Sequence, residues 1–222
     1  MPRPNHTRNL PAYRKPTVVR STQADRPVKH VQAGRLVLPQ TGVMPVTRLL
    51  TLEDAPVLAQ LLGDNRAFLE PWQPSGRDDY FTEQAQQQVA AKALQDYDRE
   101  LSVPLVIHDA GRVVGTITLQ SIIRGSFQSC SVGYWIAEEA QGKGLATAAL
   151  QEAVHLAFYE QRLHRVQAET LEKNKRSQQV LHRLGFVVYG TAQSYLKIAG
   201  VWQDCTLYQL LTPDPALVSV PE

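Results

Sequence analysis

Several features that mark large classes of protein are scarce or missing in this sequence. Its two cysteines, Cys130 and Cys205, lack the spacing of a metal site, which predicts reduced thiols in or near a core. No apolar run approaches the length that spans a membrane, and the N-terminus lacks the continuous apolar stretch of a secretory signal. These absences predict a cytoplasmic protein with neither a disulfide framework nor a metal, and without a membrane partner.

Residues 1–42 almost lack acidic and aromatic side chains. Eight Lys/Arg stand against Asp25 alone, for a net charge of +7, and Tyr13 is the one aromatic. Six prolines disfavour the amphipathic helix of a mitochondrial presequence. Because so little apolar surface could offset the entropy of ordering, residues 1–45 are predicted to form a disordered basic arm. Contact with RNA phosphates, as on a ribosome, explains the arm. A solvated extension without function, or a misassigned start codon, explains it equally well.

The rest of the chain carries a net charge of −5 and has a globular composition. A chain of 222 residues with 43% hydrophobic content can bury one core, so one domain is predicted over residues 46–212, with a proline-containing tail at 213–222. Hydrophobic periodicity predicts the order β-α-α-β-β-β-α-β-α-β-β. The predicted strands are residues 46–51, 103–107, 113–123, 126–136, 164–171, 186–195 and 204–211. The predicted helices begin after Thr51 and Thr82 and span 145–159 and 174–184, and residues 68–74 are predicted as a proline-broken loop.

One stretch, residues 131–159, organises the rest: a strand that runs through a glycine-bearing loop into a helix. Val132, Tyr134 and Ile136 alternate as in a strand, and apolar residues recur at helical spacing from Leu145. The first turn of a helix has unpaired N–H groups and the positive end of the helix dipole, so it binds anions. Glycines just before the helix let a phosphate approach the backbone closely. The stretch is therefore predicted to bind a phosphate group.

Three phosphate-binding patterns can be compared with this loop. The ATP-binding pattern G-x-x-x-x-G-K-[ST] is absent. The dinucleotide pattern G-x-G-x-x-G fits only in part, because Thr147 stands in place of its third glycine and the preceding residues look like hairpins rather than a βαβ unit. The pattern Q/R-x-x-G-x-G/A fits fully at residues 141–146. Here the loop resembles the pyrophosphate-binding loop of the GNAT family of N-acetyltransferases, which grips acetyl-CoA.

Further motifs strengthen this resemblance. Asn174 and Ser177, followed by Gly185 and Phe186, are similar to the family signature N-x-x-(A/S)…G-F. The stretches 133–136, 195–204 and 68–72 resemble one branch, the RimJ/RimL-type acetyltransferases of ribosomal-protein N-termini. The resemblance covers residues 46–212 and implies an α/β fold of the α+β type. In that fold a mixed, largely antiparallel seven-stranded sheet carries about four helices, and its fourth and fifth strands splay around acetyl-CoA.

The resemblance also assigns cofactor contacts. Backbone N–H groups of the loop would hold the pyrophosphate, and the loop residues are Gln141, Gly142, Lys143, Gly144, Leu145 and Ala146. A free N–H near Ile136 or Ala137 would polarise the thioester carbonyl and stabilise the oxyanion that forms on attack. Asn174 would contact the pantetheine arm of CoA, or else simply cap the helix that it begins. No metal is implied.

Glu169 and Ser177 are the candidate catalytic residues. Glu169 lies five residues before Asn174, where some family members place a catalytic glutamate; the plain alternative is a glutamate on the solvent face of a strand. Many RimL-type enzymes have an acid just before the Tyr-Leu pair at 195–196, but this chain has Ser194 there. The position of the usual family tyrosine, which protonates the leaving thiolate, is Leu181. The RimL-type pattern gives that role to Ser177, whose alternative is contact with CoA alone.

The attacking amine must be neutral, which bears on the acceptor. An α-amine with a pKa near 8 is roughly one-tenth neutral at pH 7, whereas a lysine with a pKa of about 10.4 is neutral about once in two thousand. One carboxylate, acting directly or through a water, therefore suffices for an N-terminal acceptor. The predicted function is acetyl transfer from acetyl-CoA to a protein N-terminal α-amine, such as that of a ribosomal protein. The alternatives are a small amine (an amino acid or an aminoglycoside) as acceptor, or a non-catalytic RNA- or ribosome-binding protein, against which the intact loop argues.

Overall fold

The computed structural model describes residues 44–73 and 78–218, and the predicted arm lies outside these ranges except for its last two positions. The strands are β1 (Thr47–Leu49), β2 (Val103–Asp109), β3 (Arg112–Ile123), β4 (Ser129–Ile136), β5 (Arg165–Leu171), β6 (Val187–Ile198) and β7 (Val201–Leu211). The helices are α1 (Ala55–Asp64), α2 (Arg66–Leu69), α3 (Glu83–Asp98), α4 (Leu145–His155) and α5 (Lys175–Arg183). A π turn, Leu156–Glu160, extends α4. Within the described ranges, no helix is long and apolar enough to cross a membrane.

The seven strands form one sheet in the order β1-β2-β3-β4-β5-β7-β6. Neighbouring strands are antiparallel throughout, except that β4 and β5 run parallel. A parallel pair needs a crossover connection, and α4 supplies it. The predicted mixed, largely antiparallel sheet of seven strands is confirmed.

The parallel strands β4 and β5 separate at the centre of the sheet. They pair only over residues 129–131 of β4 and 165–167 of β5. Beyond this point β4 remains paired with β3 and β5 remains paired with β7, but β4 and β5 no longer pair with each other. A gap therefore opens toward the C-terminal ends of β4 and β5, which confirms the predicted splay of the fourth and fifth strands.

Helices cover both faces of the sheet. On the α4/α5 face, α4 and α5 contribute Leu150 and Leu181 to the largest core cluster. On the α1/α3 face, Leu58 and Ala90 belong to a smaller cluster. Both cysteines are buried and unpaired, as predicted. Burial raises the pKa of the Cys130 thiol to about 12, so this thiol stays protonated at neutral pH.

Two stretches differ from the sequence prediction. Residues 66–69 form a fifth helix, α2, which includes the first two residues of the loop predicted at 68–74. The helix begins just after α1, where the Leu69 N–H donates to the Asn65 carbonyl (2.9 Å). The strand predicted from residue 126 begins at Ser129, because Gly125 and Gln128 adopt positive φ angles of 71° and 40° and form the turn from β3. Such local conformations depend on the neighbouring elements, and the hydrophobic pattern does not contain them.

Asp54 fixes the connection between β1 and α1. Its carboxylate accepts hydrogen bonds from the N–H and the hydroxyl of Thr51 (2.9 and 3.0 Å). It also accepts from both terminal nitrogens of Arg48 (2.8 and 2.6 Å). Burial by itself raises the pKa of Asp54, but Arg48 and Thr51 together outweigh burial and hold the pKa below its usual range. The helix start predicted at Thr51 is therefore secured by a charged group.

Replacing Asp54 by Asn is expected to lower the free energy of unfolding by about 1–2 kcal/mol at pH 7, because the charge-assisted bonds to Arg48 are lost. The figure is low because the Arg48 side chain remains 44% exposed. Since the folded-state pKa of Asp54 lies below the unfolded one, its contribution is complete above the unfolded pKa of about 3.9 and is lost as the pH falls through the folded pKa. Urea unfolding of the wild type and of Asp54→Asn at pH 7 and pH 3 measures the loss of stability and its pH dependence. A difference in unfolding free energy between the two proteins that is equal at both pH values would contradict the role of the charge.

Candidate active site

The predicted phosphate-binding loop joins β4 to α4. A 3-10 turn, Glu138–Ala140, follows β4, and Gly142 and Gly144 then adopt positive φ angles of 76° and 80°. Gly144 is the N-cap of α4. A Cβ added at either glycine would meet no protein atom within 4 Å, so the space beside this backbone is open. The first N–H groups of α4 have no partner within the helix, which gives the loop the geometry of an anion site.

One loop residue, Gln141, differs from its assigned role. The N–H of Gln141 donates to the Glu138 carbonyl (3.2 Å), so it is not free for a phosphate. The Lys143 ammonium pairs with the Asp109 carboxylate (3.0 Å), which leaves the backbone N–H of Lys143 as its contribution. The available donors are thus the N–H groups of residues 142–146.

Arg176 adds a positive charge beside this loop. Its guanidinium donates to the Gln141 side-chain oxygen (2.6 Å), which connects the first turn of α5 to the loop before α4. Two glycines with open space, free helix N–H groups and a guanidinium together fit the pyrophosphate of CoA. The sequence places Arg176 at a helix start, where charges are usually solvated, so only the fold reveals this contact.

The backbone donor for the thioester carbonyl can be assigned from the phase of the β3–β4 ladder. The Ala137 N–H donates to the Val114 carbonyl (2.8 Å), so the expectation of a free N–H at Ala137 is wrong. That bond makes Gly115 and Ile136, which lie opposite each other, a non-hydrogen-bonded pair. The Ile136 N–H therefore points away from β3 and toward the gap beside β5. Of the two predicted positions, Ile136 alone can serve as the donor.

Gly115 permits this close approach of β3 and β4. A Cβ at Gly115 would lie 2.2 Å from the Trp135 carbonyl oxygen and 2.9 Å from the Ile136 Cα, both backbone atoms that cannot move freely. Replacing Gly115 by Ala is therefore expected to cost about 2–3 kcal/mol of unfolding free energy and to lower kcat by displacing the Ile136 N–H. Urea unfolding and steady-state kinetics measure the two effects.

The matched control for that substitution is Gly133→Ala on the neighbouring strand. The Cβ at Gly133 would have the Gln120 side-chain nitrogen as its nearest atom, at an ordinary 3.8 Å. Its unfolding free energy should change by less than about 1 kcal/mol. Equal stability losses in the two variants would show that the Gly115 contact is not the cause.

Ser177 lies on the α4/α5 face of the gap. Asn174 caps α5, because its side-chain oxygen accepts the Ser177 N–H (3.1 Å). The Ser177 hydroxyl lies 2.9 Å from the Tyr134 hydroxyl. Burial raises the pKa of Tyr134 to about 12, and its contact with Ser177 only partly offsets this. The sequence predicts Tyr134 as an alternating strand residue and gives no sign of its contact with Ser177.

Glu169 lies on the opposite, α1/α3 face. Its carboxylate is half-buried and accepts a hydrogen bond from the Ser131 hydroxyl (3.2 Å), while Gln167 contacts Ser129 in the same way (3.1 Å). Side chains alternate along a strand, so Tyr134 projects to the face opposite Ser131. Burial raises the pKa of Glu169 above its usual range, partly offset by the Ser131 bond. Glu169 is thus not a freely solvated strand residue.

Ser194, where the RimL-type resemblance would place an acid, has an acid as its neighbour. It adopts a positive φ of 46° in an irregular part of β6, and its N–H donates to the Asp204 carboxylate (2.7 Å). Asp204 comes from β7, so the sequence around Ser194 does not predict it. An open depression of about 430 Å³ lies here, beside the C-terminal end of β5. It is lined by Leu171, Glu172, Lys173, Trp202, Gln203 and Asp204.

Among the described residues, no group of three or more His, Cys, Asp and Glu side chains could hold a metal ion. The site thus consists of a backbone anion loop, a backbone donor at Ile136 and two polar groups, Glu169 and Ser177, on opposite faces of one gap. This arrangement can bind a phosphorylated thioester, polarise its carbonyl and accept a proton from a nucleophile.

Both the sequence and the fold match known proteins. A family model described as an acetyltransferase (GNAT) domain matches residues 46–187. The ribosomal protein uS5-alanine N-acetyltransferase of Escherichia coli (strain K12) is 37% identical over 172 residues, which cover 76% of this chain and 88% of that protein. The structure of the ribosomal-protein-S5-alanine acetyltransferase from Vibrio fischeri has a TM-score of 0.73 at 32% identity, covering 76% of this chain and 93% of that chain. Mycobacterium smegmatis RimJ, solved in complex with CoA-disulfide, has a TM-score of 0.74 at 28% identity, covering 77% and 85%.

Proposed function

This chain belongs to the GNAT family of acetyltransferases and is an acetyl-CoA-dependent N-acetyltransferase, and we propose that its acceptor is the N-terminal α-amine of a ribosomal protein. The Escherichia coli and Vibrio fischeri relatives are named for acetylating an alanine of a ribosomal protein, and both are matched over about nine-tenths of their length. Ribosomal proteins are made in the cytoplasm, so the proposal places the reaction there.

The observation that carries the proposal is the two-sided gap. Ser177 and Tyr134 project to the α4/α5 face, which also holds the phosphate loop, whereas Glu169 projects to the α1/α3 face. Acetyl-CoA would occupy the first side and the acceptor amine the second. The two substrates can then bind at once and react directly across the gap.

Each polar group has one role in the transfer. Acetyl-CoA supplies an activated acetyl group as a thioester. The Ile136 N–H donates to the acetyl oxygen as negative charge develops there. Glu169, directly or through one water, accepts the proton of the amine while the nitrogen forms the new C–N bond. The C–S bond breaks with its electron pair on sulfur, and the Ser177 hydroxyl donates a hydrogen bond to that sulfur.

A single carboxylate is adequate for an α-amine. About one-tenth of such an amine is neutral at pH 7, so the base lowers a modest barrier. A lysine is neutral only about once in two thousand at pH 7, so a lysine acceptor would demand more of the base. The polar depression beside the end of β5 is open to solvent and could receive the first residues of an extended peptide. These features support a protein N-terminus as acceptor over a lysine side chain.

We also propose that the basic arm binds RNA of the ribosome. Residues 1–42 carry eight Lys/Arg and one acid. Their charge supports contact with phosphates, which weakens steeply as salt is raised. A chain that begins at residue 43 should lose salt-dependent RNA affinity while acetylating a free peptide at the rate of the full chain. Equal RNA affinity of the two chains would contradict the role of the arm.

An acceptor panel tests the main proposal. CoA release from acetyl-CoA is measured with peptides that begin with Ala, Ser or Met, with the same peptides blocked at the α-amine but carrying a free lysine, and with small amines. Turnover of the free α-amino peptides alone, with the acetyl group located on the terminal nitrogen by mass spectrometry, is the expected result. Turnover restricted to small amines or to lysine would overturn the proposed acceptor and leave the acetyltransferase assignment intact.

A further inference from the structure

A contact between distant parts of the sequence points to a further residue of the reaction. Tyr134 comes from β4 and Ser177 from the first turn of α5, yet their hydroxyl oxygens lie 2.9 Å apart. The Tyr134 hydroxyl can also donate to the Ser177 carbonyl oxygen, but over a longer distance (3.4 Å). Ser177 is the only hydroxyl-bearing residue of α5. Tyr134 projects to the α4/α5 face of the sheet, so the pair lies at the face of the gap that holds the phosphate loop.

The direction of the hydrogen bond between the two hydroxyls decides what Ser177 can do. A serine hydroxyl has one hydrogen, and it can donate to one partner at a time. If Ser177 donated to Tyr134, no hydrogen would remain for a group in the gap. If Tyr134 donates to Ser177, the Ser177 hydrogen is free to point into the gap. Burial raises the pKa of Tyr134 to about 12, so the phenol keeps its proton, and thus its ability to donate, throughout the neutral range.

We propose that Tyr134 is a positioning residue whose O–H donates to the Ser177 oxygen and thereby directs the Ser177 O–H at the sulfur of the departing CoA. The inference rests on the acetyl-transfer site proposed above, but not on the identity of the acceptor. No proton leaves Tyr134: the C–S bond breaks, its electron pair stays on sulfur, and sulfur accepts the hydrogen bond of Ser177. A hydroxyl that accepts one hydrogen bond becomes a stronger donor in the next, so the chain of two bonds favours the thiolate.

The test is a double-mutant cycle in the full chain with Tyr134→Phe, Ser177→Ala and the double variant. Tyr134→Phe is expected to lower kcat by about tenfold, the size of one lost hydrogen bond, with the KM for acetyl-CoA changed less than about twofold. Ser177→Ala is expected to lower kcat by about tenfold or more. The double variant should be no slower than Ser177→Ala, because Tyr134 acts only through Ser177.

A purely structural role of Tyr134 predicts a different pattern. The fold decrease in kcat of Tyr134→Phe would then multiply with that of Ser177→Ala in the double variant, which means that the two free-energy effects are additive. Such additivity would overturn the inference, and so would an unchanged kcat in Tyr134→Phe. Ser177→Thr keeps a hydroxyl, so Tyr134→Phe should still cost about tenfold in that background. Tyr159→Phe, at a tyrosine that is 43% exposed, is the matched control and should leave kcat and the melting temperature unchanged.

The same cycle is run on acceptor-independent hydrolysis of acetyl-CoA, in which water takes the place of the amine and the same C–S bond breaks. Coupling between Tyr134 and Ser177 in hydrolysis, with no turnover of any peptide, would uphold the inference and contradict the proposed acceptor. Turnover of peptides, together with additive effects of the Tyr134 and Ser177 substitutions, would support the proposed acceptor and contradict the inference. The two proposals can therefore fail separately.

Discussion

Replacing Glu169 by Gln is expected to lower kcat/KM for peptide acetylation by about 10²-fold at pH 7, at the low end of the range for a lost general base. The loss stays at this end because an α-amine is already one-tenth neutral at that pH. The substitution keeps the size of the side chain and a hydrogen-bond acceptor for Ser131. Only the capacity to accept a proton is removed.

The pH dependence separates a base from a binding residue. Burial raises the pKa of Glu169, so wild-type activity should rise with pH through a value above the usual glutamate range as the carboxylate ionises. The Gln variant lacks that step, and its rate should follow the neutral fraction of the amine up to a pKa near 8. Below the pKa of Glu169 the wild type also lacks its base, so the deficit of the Gln variant is smallest at acidic pH and grows to a plateau once Glu169 is ionised.

Stability gives an independent check on Glu169. A carboxylate whose folded-state pKa is raised is destabilising once it is ionised, so the Gln variant should melt at the same temperature as the wild type or higher. Glu100→Gln removes the same charge at an exposed loop residue and should change neither kinetics nor stability. A deficit in Glu169→Gln that does not shrink as the pH is lowered through the ionisation of Glu169 would contradict general-base catalysis.

The double substitution Gly142→Ala and Gly144→Ala is expected to raise the Kd for CoA by about 10²-fold. Both glycines have positive φ, and their Cβ positions meet no protein atom within 4 Å. The added methyl groups would fill the space that a phosphate needs, at the cost of about two charge-assisted hydrogen bonds. Calorimetry with CoA and with acetyl-pantetheine, which lacks the pyrophosphate, should show the loss for CoA alone.

Backbone strain has to be separated from this effect, because alanine at positive φ is itself unfavourable. Gly125→Ala is the matched control: it has φ of 71° and open space around its Cβ position, and it lies in the β3–β4 turn at the other end of β4. It should lower stability like a loop glycine but leave the Kd for CoA unchanged. An equal loss of affinity for CoA and acetyl-pantetheine in the double variant would contradict a pyrophosphate site at this loop.

The features that the sequence predicts are those determined by residues close to one another in the chain. The loop at residues 141–146 is predicted because two glycines lie between the alternating apolar pattern of a strand and the 3.6-residue pattern of a helix. Its family resemblance rests on six residues. The separation of β4 and β5 follows from the same resemblance. Local caps such as Thr82, whose hydroxyl accepts the Ala85 N–H (3.2 Å), are likewise readable.

The features that the sequence does not predict depend on contacts between distant segments. The Ala137 N–H is occupied because of the phase of its ladder with Val114, which hydrophobic alternation cannot fix. The Tyr134–Ser177 contact joins β4 to α5, and the Arg176–Gln141 contact joins α5 to the loop. Polar groups of this kind are positioned by the packing of whole elements, so residue type alone does not reveal them.

The most direct test of the two-sided gap is a crystal structure with a bisubstrate analogue, in which CoA is joined through an acetyl linker to the α-amine of an Ala-initiated peptide. The account predicts the pyrophosphate at the N–H groups of residues 142–146 and the linker oxygen at the Ile136 N–H. It places the sulfur within hydrogen-bond reach of the Ser177 hydroxyl on the α4/α5 face. The peptide nitrogen should lie on the α1/α3 face, within direct or one-water reach of Glu169. A peptide that leaves the gap on the Ser177 face, or a nitrogen beyond the reach of Glu169, would contradict it.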